Sequence, residues 1–473
     1  MICAAISEQS TENAIDTSIN SASMGADVVE IRFDSMIEMP QDLDLFKKIP
    51  VPKIATLRTT SQGGKCKFDE ERLDFFKKCS GCFEYIDIED DSKLSEMQFK
   101  DCKKIVSFHD FSKTPSANEI KGIITNLQKK SDIAKAAFYV RSISDLYEII
   151  IASQHLEGRY ILIGMGELGE ITRICYDRLG SEITYASPCI GKETAPGQMD
   201  IQSLKKLSKD NCLTGIIGNP VNHSRSPDMH NAAFRSLGIN GRYFRFKCEE
   251  DELGKIVEII KILGMRGVNV TIPHKQTIMA YLDELDETSK AAGAVNCIIN
   301  DGNNLKGVNT DIAGFRESFK AAGASVCGKN SLIIGAGGAA RACAAFLSEG
   351  HAEIKIINRT KEKAERLAKE FNGTAVDSID TDFDIIVNCT PMGMEGFDEG
   401  TFFQNCIFHK EQTVMDAVPV PEITKFLERA EKCGADVISG REMLIYQALD
   451  AFKTWTGCKP DYSIMSKAYG EKR

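Results

Sequence analysis

Residues 132–140 read DIAKAAFYV, apolar at nearly every position and interrupted by one lysine, Lys135. A short run of this kind reads as a buried strand. An ammonium group inside it is disfavoured unless it is paired or loses its proton. Two readings of Lys135 follow. It carries its head to the surface along its aliphatic stem, or burial favours the neutral amine, which is a nucleophile for carbonyl carbon.

Seven more short apolar runs surround it: MICAAI (1–6), DVVEIRF (27–33), KIATLR (53–58), YIDIE (85–89), KIVSFHDF (104–111), YILIGMG (160–166) and ITYAS (183–187). Polar, helix-compatible stretches such as EERLDFFKKC and SANEIKGIITNLQKK separate most of them. Strands alternating with helical segments indicate parallel β–α units, and eight such units within residues 1–207 predict a (β/α)8 barrel.

Polar residues gather near the C-terminal ends of these runs, where a barrel places its site. Glu30 and Arg32 are two apart and share one strand face, as do Asp87 and Glu89. Arg58, His109 and Lys135 end or follow the middle runs; Arg173 follows the seventh, and Gln198 lies in TAPGQ after the eighth. Each alone reads equally as a satisfied structural polar group, but their convergence on one barrel mouth points to a site. His109 titrates near neutrality and suits a general base. Arginines suit a carboxylate through forked hydrogen bonds. An imine on Lys135 acidifies the C–H next to the former carbonyl, so the residues point to imine-mediated proton abstraction on a polyhydroxylated keto acid.

The stretches EIRFD, SFHDF, DIAKAAF, MGELGEITR and TAPGQ together closely resemble type I 3-dehydroquinate dehydratases. The resemblance implies that Lys135 forms the imine and that His109 moves the proton and assists loss of the hydroxyl. It also implies that Glu30, Arg32 and Arg58 hold substrate hydroxyls, that Arg173 and Gln198 hold the carboxylate end, and that Thr194 binds substrate. Three positions depart from the family pattern. Gln62 stands where a glutamate is usual, which predicts a less basic His109, and Thr172 and Thr194 stand where serine is usual.

A net charge of −10 carries no electrostatic footprint for nucleic acid. No apolar run approaches the roughly 20 residues of a membrane span, and the N-terminus lacks a signal or transit pattern, so a cytoplasmic protein is expected. Sixteen cysteines without a secretion signal suggest free thiols. The pair Cys79 and Cys82, with Cys66 and Cys102 as companions, lacks the spacing of a zinc site, and no metal is expected. The oligomeric state is not legible.

After a short polar link the pattern changes. TGIIGNPVNHSRSPDMHNAAF (214–234) reads as strand, turn and helix, with Ser224 and Ser226 in the loop, where helix capping is their ordinary role. GVNVTIPHKQ carries Thr271 and Lys275, GAVNCI carries Asn296, and GVNTDIAGF carries Asp311. Lys275 and Asp311 read either as a weak surface pair or, following strands of an α/β pattern, as site residues. SLIIGAGGAARACAAFL (331–347) runs a strand into Gly335, Gly337, Gly338, Ala339 and Ala340 and then into a helix. This is the G-x-G-x-x-A dinucleotide fingerprint, whose ordinary alternative is a glycine-rich turn. IKIINRT then ends in Asn358, Arg359 and Thr360, with Lys363 nearby. An arginine here in place of an acidic residue favours NADP over NAD. DIIVNCTPMGM brings Thr390 and Met392 toward the nicotinamide end, and GREMLIYQALDAFKTWTG brings Gly440 and Gln447.

These stretches resemble shikimate dehydrogenases over nearly all of residues 213–473. The resemblance implies NADPH-dependent reduction of 3-dehydroshikimate at C3. Ser224 and Ser226 would bind the carboxylate, and Thr271, Asn296 and Gln447 the hydroxyls. Lys275 and Asp311 would be the catalytic pair, while Gly335, Gly337, Gly338, Ala339, Asn358, Arg359, Thr360, Lys363, Thr390, Met392 and Gly440 would hold the cofactor. Pro419 stands where a tyrosine is usual. The expected architecture is α/β: a TIM barrel (1–207), a substrate lobe (213–318, completed by 440–473) and a Rossmann NADP lobe (319–439). Together the resemblances imply a two-step enzyme that makes 3-dehydroshikimate and reduces it. The alternatives are one impaired half that persists as a scaffold, and a quinate dehydrogenase in the second half.

Overall fold

The computed structural model describes residues 1–66, 69–209, 211–302, 304–379, 382–394, 396–397, 403 and 406–470, with backbone alone at 69–71. The chain divides into two compact units, Met1–Asn211 and Cys212–Arg473.

The first unit contains β1 (Ile2–Ile6), β2 (Val28–Arg32), β3 (Lys53–Thr56), β4 (Tyr85–Glu89), β5 (Lys103–Asp110), β6 (Ile133–Tyr139), β7 (Tyr160–Met165) and β8 (Thr184–Ala186). They form one parallel sheet in the order β7-β6-β5-β4-β3-β2-β1-β8. The remaining seam is narrow: Glu182 N–H donates to Tyr160 O at 2.8 Å, and Leu162 N–H to Ser181 Oγ at 3.1 Å. The result is a nearly closed eight-stranded barrel. Four of the helices outside it start on side-chain caps, from Ser10, Ser116, Ser142 and Asp200. Ser116 and Ser142 each close a capping box, on Ala117–Gln128 and Ile143–Ser153, and such a cap contributes about 1 kcal/mol. The first of these buries Ile120, Ile124 and Leu127, one stripe at helical spacing.

Strand alternation builds the interior in layers. Val28, Ile54, Tyr85, Ile105, Ile133, Ile161 and Ile183 form an apolar floor. Two residues further along their strands stand Glu30, Thr56, Asp87, Ser107, Lys135, Ile163 and Tyr185, and two further still Arg32, Arg58, Glu89, His109, Ala137 and Met165. The core therefore turns polar toward the C-terminal mouth, and Lys135 lies at that boundary.

The second unit holds two sheets. β9 (Cys212–Gly218), β10 (Gly241–Lys247), β11 (Gly267–Val270), β12 (Glu284–Leu285), β13 (Cys297–Asn300) and β14 (Leu305–Val308) form a mixed sheet in the order β10-β9-β11-β13-β14-β12. β15 (Asn330–Ile334), β16 (Glu353–Ile357), β17 (Thr374–Ala375), β18 (Ile385–Asn388), β19 (Thr413–Asp416) and β20 (Asp436–Ile438) form a parallel sheet in the order β17-β16-β15-β18-β19-β20. That is the doubly wound 3-2-1-4-5-6 order, with its switch point between β15 and β18.

Helix Gly440–Thr456 leaves the parallel sheet and packs on the mixed one. Its Ile445, Leu449, Phe452 and Trp455 meet Met229, Phe234 and Tyr243. Trp455 Nε1–H donates to Ile298 O at 2.9 Å. A Cβ on Gly267 would lie 2.4 Å from that Nε1, so the strand admits only glycine there. Helix Asp311–Ala321 runs across the border expected between 318 and 319, and residues 471–473 of the expected C-terminal segment lie outside the described residues.

Candidate active sites

The barrel site is a buried charge cluster. Lys135, its side chain 5% exposed, places Nζ 2.8 Å from Asp87 Oδ2, 3.7 Å from Glu30 Oε1 and 4.2 Å from the ring centre of Tyr185. The apolar surroundings inferred from the strand are thus half of the picture. They line the stem, while the tip meets two carboxylates and an aromatic face, and the snorkelling reading fails. Asp87 Oδ1 accepts from Arg58 at 3.0 Å and from Ser107 Oγ at 2.6 Å. Burial alone would push the Asp87 carboxyl up; Arg58 and Lys135 outweigh it and hold the carboxyl well below the usual range. Glu89 accepts from Thr59 N–H at 2.8 Å and pairs with the fully buried Arg72. Glu30 Oε1 accepts from Thr56 Oγ1 at 2.8 Å.

His109 stands above this cluster. Gln62 Oε1 lies 3.1 Å from its backbone N and 3.2 Å from its ring Nδ1. Desolvation, then Arg58 and Lys135, hold the imidazole well below the ordinary histidine range. Arg173 projects from the short helix Glu170–Ile174, 3% exposed, and its Nε meets no partner among the described residues. Burial pushes it down to about 10. Thr194 N–H donates to Gln198 Oε1 at 2.7 Å, which ties the TAPGQ loop over the same cavity. Glu30, Arg32, Arg58, His109, Lys135, Arg173, Thr194 and Gln198 all line it. Arg32 is committed to Asp34 through two 2.9 Å bonds, and Arg58 to Asp87 and Ser107.

In the second unit Lys275 Nζ lies 2.5 Å from Asp311 Oδ2. Asn296 Nδ2 donates to Asp311 Oδ1 at 2.7 Å and Asn296 Oδ1 accepts Thr310 N–H at 2.7 Å. Gln447 Oε1 completes the network at 3.5 Å from Asn296 Nδ2. The buried carboxylate is thereby fixed, and the pair is not a loose surface contact. A cleft of about 810 Å³ opens beside Lys275, large enough for an extended cofactor. Gly335, Gly337, Gly338, Ala339, Asn358, Lys363 and Thr390 line it, with Thr271 at one edge. Gly335 has φ +116° and its Cβ would press on Thr390 at 3.0 Å; a Cβ on Gly337 would point into open space; one on Gly338 would lie 2.9 Å from Lys275 Cδ. The loop thus leaves room for a diphosphate at the N-terminus of helix Gly338–Glu349.

Comparison with known proteins gives the same division. The family model for Type I 3-dehydroquinase matches residues 2–209, that for the shikimate dehydrogenase substrate binding domain 216–298, that for Shikimate / quinate 5-dehydrogenase 318–396, and that for the Shikimate 5'-dehydrogenase C-terminal domain 440–468. A chloroplastic bifunctional 3-dehydroquinate dehydratase/shikimate dehydrogenase of Arabidopsis thaliana is 32% identical over 99% of this chain and 84% of its own length. The chain belongs to this bifunctional dehydratase/dehydrogenase family. A shikimate dehydrogenase (NADP(+)) of Methanococcus maripaludis is 42% identical over 54% of this chain and 96% of its own length. A crystal structure of a shikimate dehydrogenase in complex with NADP+ is 41% identical, covers 55% of this chain and 94% of its own, and has a TM-score of 0.52.

Several expected residues of the dehydrogenase half sit differently. Arg359 and Thr360 are exposed beyond the end of β16, outside the cleft lining, while Asn358 Nδ2 donates to Thr360 O at 2.9 Å. Met392 packs partly buried against the apolar cluster behind β18. Gly440 is a packing glycine: a Cβ there would strike Val418 O at 2.5 Å. Ser224 and Ser226 do not cap their helix, whose N-cap is Arg225; Ser224 Oγ instead accepts Ser226 N–H at 3.3 Å.

Three residues were missed. Tyr185 lines the barrel cavity, Thr310 joins the Asn296–Gln447 network, and Arg366 lines the cofactor cleft one helical turn beyond Lys363. Arg366 was detectable from its i,i+3 spacing to Lys363. Tyr185 and Thr310 carried no signal beyond the strand and the NTD motif that contain them.

Proposed function

We propose that the first unit dehydrates 3-dehydroquinate to 3-dehydroshikimate through an imine on Lys135, and that the second reduces that product to shikimate with NADPH. The observation that carries the reading is the buried Lys135 amine beside Asp87, facing a cavity that also holds His109 and Arg173, whose Nε has no hydrogen-bond partner among the described residues.

The Arg173 guanidinium suits the substrate carboxylate, which would repay its lost hydration with charge-assisted bonds, and Gln198 and Thr194 close over it. Asp87 orients Lys135. His109 takes a proton from the Lys135 nitrogen as the amine adds to the ketone, and returns it to the hydroxyl of the resulting carbinolamine. That hydroxyl leaves as water, His109 is neutral again, and the iminium left behind draws electrons from the neighbouring C–H bond. His109 removes that proton and returns it to the departing hydroxyl, so water leaves and a C=C bond forms. Hydrolysis of the imine frees the product and restores Lys135.

In the second unit the residues fit a dinucleotide phosphate: the open space at Gly337, the helix N-terminus behind it, and Lys363 and Arg366 beside the cleft. NADPH, when bound, supplies the hydride. Lys275, held by Asp311, stabilises the oxygen on which charge develops and gives it a proton. Asn296 and Gln447 place the substrate hydroxyls; Ser224 and Ser226 hold its carboxylate, and Thr271 the remaining hydroxyl. The lobe borders proposed are 213–318 with 440–473, and 319–439. The shikimate/quinate model match over 318–396 favours quinate as the second substrate to compare. Among the described residues no disulfide joins the cysteines, which supports a reducing, cytoplasmic setting.

The test is borohydride treatment of the chain with 3-dehydroquinate, followed by peptide mapping. The adduct is expected on Lys135 and absent from Lys135→Met. Lys275→Met is expected to slow reduction by about 10²–10⁴-fold while the dehydratase rate stays within twofold. Trapping at another residue, or equal loss of both activities, defeats the assignment.

A further inference from the structure

The strongest unexplained group in the barrel is Tyr185. Strand alternation turns it inward, it is 5% exposed, and its hydroxyl meets no hydrogen-bond partner among the described residues. Its ring lies under Lys135 Nζ at 4.2 Å. The ring and the hydroxyl therefore serve different ends. The ring offers its electron-rich face to the nitrogen. The hydroxyl is a buried donor left without an acceptor, and buried polar groups of this kind are satisfied by a ligand or by ordered water.

A second unpaired donor faces the same cavity. Arg173 Nε is buried and without a partner among the described residues. Tyr185 and Arg173 line the same cavity. Burial, reinforced by Glu30, pushes the phenol well above its ordinary range, so it stays a donor. Two donors without acceptors suit a carboxylate, which has lone pairs for both.

We propose that Tyr185 is a substrate-binding residue of the dehydratase site: its hydroxyl donates, together with Arg173, to the substrate carboxylate while its ring steadies the Lys135 nitrogen. This rests on the dehydratase reading above. It makes the carboxylate end and the reacting amine share one side chain, so a keto acid anchored at Arg173 presents its ketone to Lys135.

The test is Tyr185→Phe in the full chain. The KM for 3-dehydroquinate is expected to rise about tenfold, the usual size of one lost hydrogen bond to a charged group, and to carry most of the fall in kcat/KM. The melting temperature is expected to stay level or rise, because an unsatisfied hydroxyl has been removed from the core. In an Arg173→Lys background the same change is expected to cost less than threefold. Tyr185→Leu, which also removes the ring, is expected to lower kcat in addition. A KM for Tyr185→Phe within twofold of the unmutated chain overturns the proposal, as does a lowered melting temperature with kcat and KM equally affected. If the unmutated chain itself fails to turn over 3-dehydroquinate, the dehydratase reading falls and this proposal falls with it.

Discussion

One oxygen, Gln62 Oε1, faces both the backbone N–H of His109 at 3.1 Å and its ring Nδ1 at 3.2 Å. The backbone donor requires an acceptor, so it fixes which end of the amide points inward. Nδ1 then carries the ring proton, and Nε2 is the free base. An amide adds no charge to this arrangement. Burial and the cations Arg58 and Lys135 therefore act on the imidazole without a carboxylate to oppose them at Nδ1.

Gln62→Glu supplies that carboxylate. His109 works as a neutral base, so activity falls as pH drops through its pKa. In the unmutated chain that acid limb lies below the ordinary histidine value of about 6.5. The added charge favours the imidazolium and is expected to move the limb upward by about one pH unit. The profile of dehydratase kcat/KM against pH checks this. A limb that stays in place, or moves down, shows that Gln62 does not govern the base.

The barrel strands were legible because period 2 is a strong pattern: the eight apolar runs became β1–β8, and Glu30, Asp87, Lys135 and His109 fell on the inward register. The pairing of Asp87 with Lys135 was not legible. It joins residues from β4 and β6, with β5 between them, and sequence spacing carries no distance between strands. Tyr185 was hidden for a different reason. An aromatic in ITYAS is what an ordinary core strand contains, and only its unmatched hydroxyl marks it out. In the second unit the glycine fingerprint located the cleft because backbone approach demands those residues. Gly440 is close to Val418, and a glycine needed for such packing looks the same in sequence as one needed for a ligand.

A buried histidine outside both sites sets an acid limit on the second unit. His230 is fully buried, stacks on Tyr243 at 4.3 Å with 6° between the rings, and neither nitrogen has a partner among the described residues. Burial pushes it down to about 3. The unfolded chain takes up the proton first, near pH 6.5, so the stabilising effect of keeping His230 neutral is complete above that value. It is lost progressively from there down to about pH 3. The slope is at most about 1.4 kcal/mol per pH unit, or about 2 kcal/mol between pH 6.5 and 5. His230→Phe retains an aromatic stack and cannot titrate. It is expected to shrink the difference in urea stability between pH 7 and pH 5 by about 2 kcal/mol. An undiminished difference shows that other groups set the limit.

Cofactor preference follows from the end of β16. The chain offers Asn358, Arg359 and Thr360 there, with no carboxylate to receive ribose hydroxyls, and Lys363 and Arg366 line the cleft from the next helix. Lys361 is already paired with Asp377 at 2.8 Å, which leaves those cations to meet a 2′-phosphate. Arg359 is exposed and lies outside the cleft lining, so the proposed contact with a bound phosphate is one made from the rim. A charge-assisted hydrogen bond contributes about 1.5–3 kcal/mol, equivalent to roughly 10–100-fold in kcat/KM. Arg366→Ala is expected to lower kcat/KM for NADPH about tenfold and to leave NADH nearly unaffected. Arg359→Asp is expected to lower it about a hundredfold and to improve NADH, because the new carboxylate repels the phosphate and accepts ribose hydroxyls. These contacts are solvent-exposed and screened by salt, so the KM for NADPH is also expected to rise with ionic strength more steeply than that for NADH. Steady-state reduction with both cofactors at low and high salt checks all three. An unchanged NADPH-to-NADH ratio in Arg366→Ala removes that residue from the phosphate site, and an unchanged ratio in Arg359→Asp removes the basis for preferring NADPH.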